Sequence, residues 1–246
     1  ANGAGNLTPF FAPEPGASPL TSLLHASALM FVAFTGYGRI ATLGEEVVAP
    51  RRTIPRAIQI ALVVVALLYG LVALVGVGAV GAGSLARVEG RAAPLELAAR
   101  SFGAPVVARV VAVGAVTAML GVLLNLVLGL SRVLLAMGRR GDAPRAFGRL
   151  DSAGTTPTAA VVAVGVMVAL LVLVGDVRTT WSFSAFTVLV YYAVTNLAAL
   201  ALPAGARLFP RWVAALGFAS CLGLAFFVEA RVWLAGTGVL SAAVLL

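Results

Sequence analysis

The chain has 246 residues, 61% of them hydrophobic and 11% charged, with a mean hydropathy of +1.05; soluble globular domains run nearer half apolar and a quarter charged, so water cannot be its only solvent. The formal net charge of +8 comes from 17 basic residues, every one an arginine, and these fall between apolar runs instead of forming the single stripe a nucleic-acid partner would require. One cysteine, Cys221, excludes an intrachain disulfide.

Residues 1–19 read as a polar loop containing Pro and Gly, without the basic n-region and apolar core of a signal peptide. Seven apolar spans are predicted after it, at about 21–47, 57–82, 104–137, 157–175, 179–203, 211–229 and 232–246, since about 20 apolar residues cross a bilayer as a helix. A β-barrel is excluded because its strands alternate over about 10 residues, whereas these runs stay apolar for much longer. A chain that starts in a loop and stops inside an apolar run is expected to be a piece of a longer one.

Orientation follows from the arginines on alternate sides of the spans. Ten lie in the loops around 51–56, 132–149 and 207–211, six lie in 87–109 and at Arg178 and Arg231, and Arg39 sits inside the first span. The ten-arginine side is therefore expected in the cytoplasm. On the opposite side, PLELAAR at 94–100 predicts a short amphipathic helix at the outer surface. The loop 138–157 predicts a short helical turn near 145–150.

The first span is the informative one. It reads FVAFTGYGR over residues 31–39, with Gly36 and Gly38 in the middle of a good helical run. Glycine in a helix costs about 1 kcal/mol relative to Ala and permits non-helical dihedrals. Such glycines either let helices pack closely or break the helix, and a break is tolerated in lipid only where its bare N–H and C=O groups find partners. A substrate is one such partner. Arg39, ionisable and inside a span, favours the break, because such groups face a polar cavity or a partner. TGYG at 35–38 is similar to a potassium-filter loop, but a filter follows a short pore helix, and this stretch runs on into IATLGEE with helical propensity.

Other polar groups lie at mid-membrane depth. Thr117, Asn125, Thr187 and Tyr191 either line the same cavity or bond neighbouring helices. Glu45, Glu46 and the arginines of 51–56 read as solvated helix-end charges punctuated by Pro50 and Pro55, or as an inner-gate ion pair. His25, alone near the outer end, makes no proton relay. A retinal protein needs a lysine for its Schiff base, and none is present. An intramembrane hydrolase needs a nucleophile with its base, or a metal cluster; one His, one Cys, and neither H-E-x-x-H nor G-x-S-x-G supply neither. No catalytic residue, metal site or cofactor is predicted, and the chain is not read as an enzyme.

Three stretches carry a family resemblance. FVAFTGYGRIATLGEEVVAPRRTIPR at 31–56 resembles the sixth transmembrane helix and following loop of the amino acid-polyamine-organocation (APC) permeases. GLSRVLLAMGRRGDAP at 129–144, continuing to GTTP at 154–157, resembles the end of their eighth helix and its loop, and SFSAFTVLVYYAVTN at 182–196 resembles their tenth. The resemblance implies an all-α polytopic membrane protein of the inverted-repeat, LeuT-type transporter fold, with this chain holding the second repeat, spans six to ten, plus spans eleven and twelve. The family's sixth helix runs from outside to inside, the direction the arginines give. Helices one to five, including the broken first helix that supplies half of the substrate site, are then missing partners.

For the site, the resemblance implies that the carbonyls of Val32, Ala33 and Thr35 point at the substrate amino group around Gly36 and Gly38, with Phe34 and Tyr37 shaping the pocket. Leu124, Asn125 and Leu126 are expected near the substrate, with Thr187 and Tyr191 on the same cavity and Phe31, Arg39, Glu45 and Glu46 as gating positions. The function implied is secondary active transport of amino acids by alternating access, in a multi-pass protein of the cytoplasmic membrane, with a coupling proton or counter-substrate and no nucleic acid. A neutral amino acid is expected, because Gly38 followed by Arg39 stands where many relatives carry an acid, and Val32 replaces an aromatic gate. The alternatives are a polyamine or cationic amino acid exchanger and a non-transporting nutrient sensor on the same fold.

Overall fold

The computed structural model describes residues 3, 5–9, 11, 16, 18–36, 47–87 and 94–245. Among them the regular structure is helical, with no strand. The chain forms two compact units, one of residues 1–8 and 73–175 and the other of residues 9–72 and 176–246.

The first unit holds the end of α2 (Pro50–Val80), the short α3 (Ala82–Ala86) and α4 (Pro94–Ser101), then α5 (Pro105–Arg140) and α6 (Thr158–Val174). The amphipathic stretch at 94–100 is helical, as its pattern predicts: Ala98 and Ala99 are buried, while Glu96 and Arg100 pair at 2.6 Å one turn apart. α5 runs 36 residues with no buried residue in its most apolar window. Exposed Val106, Val107, Val116, Met119 and Val122, which point to different sides of the helix, make it apolar all round, which suits hydrocarbon and not water. It ends where Gly141 takes φ 90°, with Arg139 and Arg140 in the last turn against the negative helix end. Beyond it a 3-10 turn, Arg145–Gly148, packs back so closely that a Cβ on Gly138 would lie 2.5 Å from the Gly148 nitrogen. Both of these glycines are therefore contact points, not hinges.

The second unit is built on α7 (Val177–Ala201). Ser182, Ala185, Phe186, Leu189, Tyr192 and Ala193 are its buried residues, spaced three and four apart so that they share one face. Onto that stripe pack Ala28 of α1 (Pro19–Phe31), Cys221 and Ala225 of α8 (Arg211–Ala225), and Val228 and Val232 around the start of α9 (Ala230–Leu245). Small residues admit the large ones: Gly236 of α9 faces the Phe186 ring, and Gly217 of α8 faces the Asn196 amide. α8 and α9 are bent by 117° at the break between them.

Helix bounds refine the expected spans. Among the described residues α2, α5 and α7 are each long and apolar enough to cross a membrane, with the bent α8–α9 pair as one more span at most. α1 and α6 are shorter, at 13 and 17 residues. α2 begins at Pro50, ahead of the expected 57, and Pro50 and Pro55 open the helix where the sequence reading made them end it. Proline in a first turn lacks only an N–H that has no helical partner there. Pro55 forgoes a further bond, to the Arg51 carbonyl, at an exposed helix start.

Candidate functional site

Among the described residues the helix of the first span stops at an unwound turn. α1 gives way at Val32 to a 3-10 turn, Val32–Phe34, after which Thr35 is extended at φ −89°, ψ 174° and Gly36 takes φ 107°. Tightening from α to 3-10 geometry leaves carbonyls without their usual i+4 donors, and side chains supply some. Trp181 of α7 donates its indole N–H to the Leu29 carbonyl at 3.0 Å, and the Thr35 hydroxyl donates to the Val32 carbonyl at 2.7 Å beside the Thr35 amide at 3.2 Å. His25 adds a bond between Nδ1 and the Phe227 carbonyl, at 2.7 Å, to the turn between α8 and α9.

A cavity of about 260 Å³ lies against this break, lined on one side by Ala33, Phe34, Thr35 and Gly36. The other wall is a stripe of α2 made of Ile58, Ala61, Leu62, Val65 and Tyr69. Their spacing of three and four puts them on one helix face. Tyr69 ties the walls together: its hydroxyl donates to the Ala33 carbonyl at 3.2 Å, and its ring meets Phe34 edge-on at 5.3 Å between centroids. Among the described residues none that lines it is charged.

Of the expected site residues, Val32, Ala33, Phe34, Thr35 and Gly36 thus gather at the break. The Val32 carbonyl already accepts two hydrogen bonds, its full complement, while among the described residues the Ala33 carbonyl accepts one. Phe31 packs edge-on against Tyr192 at 5.6 Å, on the core side of the helix. Tyr37, Gly38, Arg39, Glu45 and Glu46 lie outside the described residues. Thr187 is in the same unit, but its hydroxyl returns to the Phe183 and Ser184 carbonyls at 3.0 and 3.1 Å. Tyr191 stands exposed against the edge of Tyr192 at 5.2 Å. Leu124, Asn125 and Leu126 are on α5 in the first unit, with Leu124 and Asn125 exposed. Thr117 bonds the Val113 carbonyl of its own helix at 2.9 Å. Both of these threonine hydroxyls donate within their own helix, where the i−4 or i−3 carbonyl is reached most easily.

Tyr69 is the residue the sequence reading missed. The run 57–82 contains two polar side chains, Gln59 and Tyr69, and a hydroxyl at mid-membrane depth seeks a partner. That signal was available in the sequence.

Long apolar helices define a polytopic α-helical membrane protein, and the shorter α1 ends in an unwound turn against a cavity with no charge among its described lining residues. This chain belongs to the amino acid permease family, whose family model matches residues 1–244. It is 43% identical over 222 residues to an uncharacterized transporter of Mycobacterium tuberculosis, covering 90% of this chain and 50% of the relative. A branched-chain amino acid permease of Bacillus subtilis is 33% identical over 146 residues, 59% of this chain and 31% of that protein. A vacuolar cationic amino acid transporter of Arabidopsis thaliana is 32% identical over 158 residues, 64% of this chain and 26% of that protein. The chain spans about half the length of the mycobacterial relative.

Proposed function

We propose that the complete protein carries amino acids across the cytoplasmic membrane by alternating access, driven by a coupling proton or a counter-substrate, and that its substrate bears no net side-chain charge. The observation that carries the neutral reading is the cavity wall: Ile58, Ala61, Leu62 and Val65 face the break, and among the described residues the polar side chains beside it are the hydroxyls of Thr35 and Tyr69. An aliphatic side chain gains about 25 cal/mol per Å² on leaving water for such a wall. A second ammonium or guanidinium would be stripped of water with no carboxylate among the described lining residues to replace it.

The backbone end of the substrate fits the other wall. An α-ammonium donates to carbonyl oxygens, and among the described residues the Ala33 carbonyl accepts the tyrosine hydroxyl alone. A volume of about 260 Å³ falls just below the roughly 300–1,000 Å³ of pockets for drug-sized ligands, the scale of one amino acid. Among the relatives, the branched-chain permeases agree with this reading and the cationic transporters with its rival; the uncharged lining supports the former. The test is competition in proteoliposomes holding the full-length protein. Leucine, alanine or phenylalanine should displace labelled substrate better than arginine, lysine or putrescine, and the reverse order rejects the neutral substrate.

A further inference from the structure

We propose that a second cavity, between the end of α7 and the start of α8, binds the phosphate headgroup of an anionic phospholipid. The cavity measures about 300 Å³ and is lined by Asn196, Leu202, Arg207, Phe209, Arg211 and Val213 among others, none of them acidic. Arg207 donates through Nη2 to the Leu200 carbonyl at 3.5 Å and to the Leu202 carbonyl, and Arg211 donates through Nη2 to the same Leu200 carbonyl at 3.4 Å. Two guanidinium groups thus converge on one carbonyl oxygen. Capping the last carbonyls of α7 accounts for one cation there, not for two of like charge side by side.

No ion pair neutralises Arg207 or Arg211 among the described residues. Neighbouring like charges repel more strongly as water is excluded, so a bound anion stabilises both. A donor is also left over: the Nε of Arg207 is buried and has no hydrogen-bond partner, a condition that native structures rarely leave unanswered. Pro210 gives α8 no side-chain cap, so the positive helix end adds to the field in the cavity without being its basis.

The surroundings select a lipid over a free phosphate. Leu202, Leu208, Phe209 and Trp212 are exposed apolar side chains beside the two arginines, and tryptophan concentrates at headgroup level in membranes. Basic pockets between transmembrane helices hold anionic headgroups by this combination of charge and apolar rim. The site takes a phosphodiester carrying net negative charge, its acyl chains along the rim.

Native mass spectrometry of the full-length protein in detergent, titrated with phosphatidylglycerol and separately with phosphatidylcholine, tests this. Phosphatidylglycerol should bind about tenfold more tightly than phosphatidylcholine, whose phosphate offers the same acceptors but whose choline cation is repelled by the two arginines. Arg211→Gln should lower that preference several-fold, and Arg207→Gln with Arg211→Gln should abolish it. Arg139→Gln, at the end of α5, should leave it unchanged. Equal affinity for the two lipids, or an unaltered preference in the double variant, overturns the site; displacement of phosphatidylglycerol by millimolar inorganic phosphate overturns the lipid assignment. Should the double variant fail to fold, Arg211→Gln alone still reads the outcome, because Arg211 is exposed.

Discussion

Replacing Gly36 with alanine separates backbone conformation from bulk. A Cβ built on Gly36 meets nothing within 4 Å, yet its φ of 107° lies where L side chains rarely go. Packing therefore predicts no effect, and the dihedral predicts a cost of about 1–3 kcal/mol. At 1.4 kcal/mol per factor of ten, the unwound conformer would become roughly 5- to 150-fold less populated. If the break receives the substrate, initial uptake by full-length protein in proteoliposomes should fall within that range, and Gly36→Leu should fall further by adding bulk beside the cavity. Gly165→Ala is the control: its Cβ also meets nothing, but it sits within α6 at helical φ, so alanine stabilises that helix by up to about 1 kcal/mol. Wild-type uptake by a correctly inserted Gly36→Ala protein would refute the argument, because the dihedral would then carry no functional weight.

Gly236→Ala should lower the melting temperature, since a Cβ there would collide with the Phe186 ring, 1% exposed and unable to yield; overpacking of this kind costs about 1–3 kcal/mol, and Phe186→Leu in the same chain should restore part of the loss. An unchanged melting temperature for Gly236→Ala would contradict the packing. In the loop after α5, backbone N–H groups of Thr155 and Thr156 hold the Asp151 carboxyl below its ordinary value. A depressed folded value contributes stability above the unfolded value of about 3.9 and loses it as pH falls through the folded one. Amide protection over 151–156, corrected for intrinsic exchange, should hold from neutral pH to about 4 and decline below; in Asp151→Asn it should not vary with pH. The same loop should lie in the cytoplasm, so Ser152→Cys in a Cys221→Ala background should resist an impermeant thiol reagent applied outside intact cells; modification there would reverse the orientation.

The helix break and the helices along the chain were readable because they rest on local chemistry. Gly36 alone permits the positive φ, and unbroken apolar runs such as 104–137 have no other stable form in lipid. PLELAAR announces α4 by its charge spacing. What local patterns did not convey were choices made by three-dimensional neighbours. No sequence pattern says that the Thr187 hydroxyl donates back to the Phe183 and Ser184 carbonyls. The close approach of Gly138 to Gly148 depends on a chain reversal that neither glycine encodes by itself. Nor does any pattern say that Tyr69, thirty-six residues from Ala33, would reach its carbonyl.

The two ties on α1 have a mechanical meaning. His25 and Leu29 are one helical turn apart, and one is pinned to the α8–α9 turn while the other is pinned to α7. A rod held at two such points can neither spin about its axis nor slide along it without parting both bonds, a resistance of about 1–3 kcal/mol from hydrogen bonding alone. A pull exerted at Ala33 therefore travels up α1 as axial load into α7 and the α8–α9 turn, and Thr35 and Gly36, on the other side of Ala33, lie outside this load path.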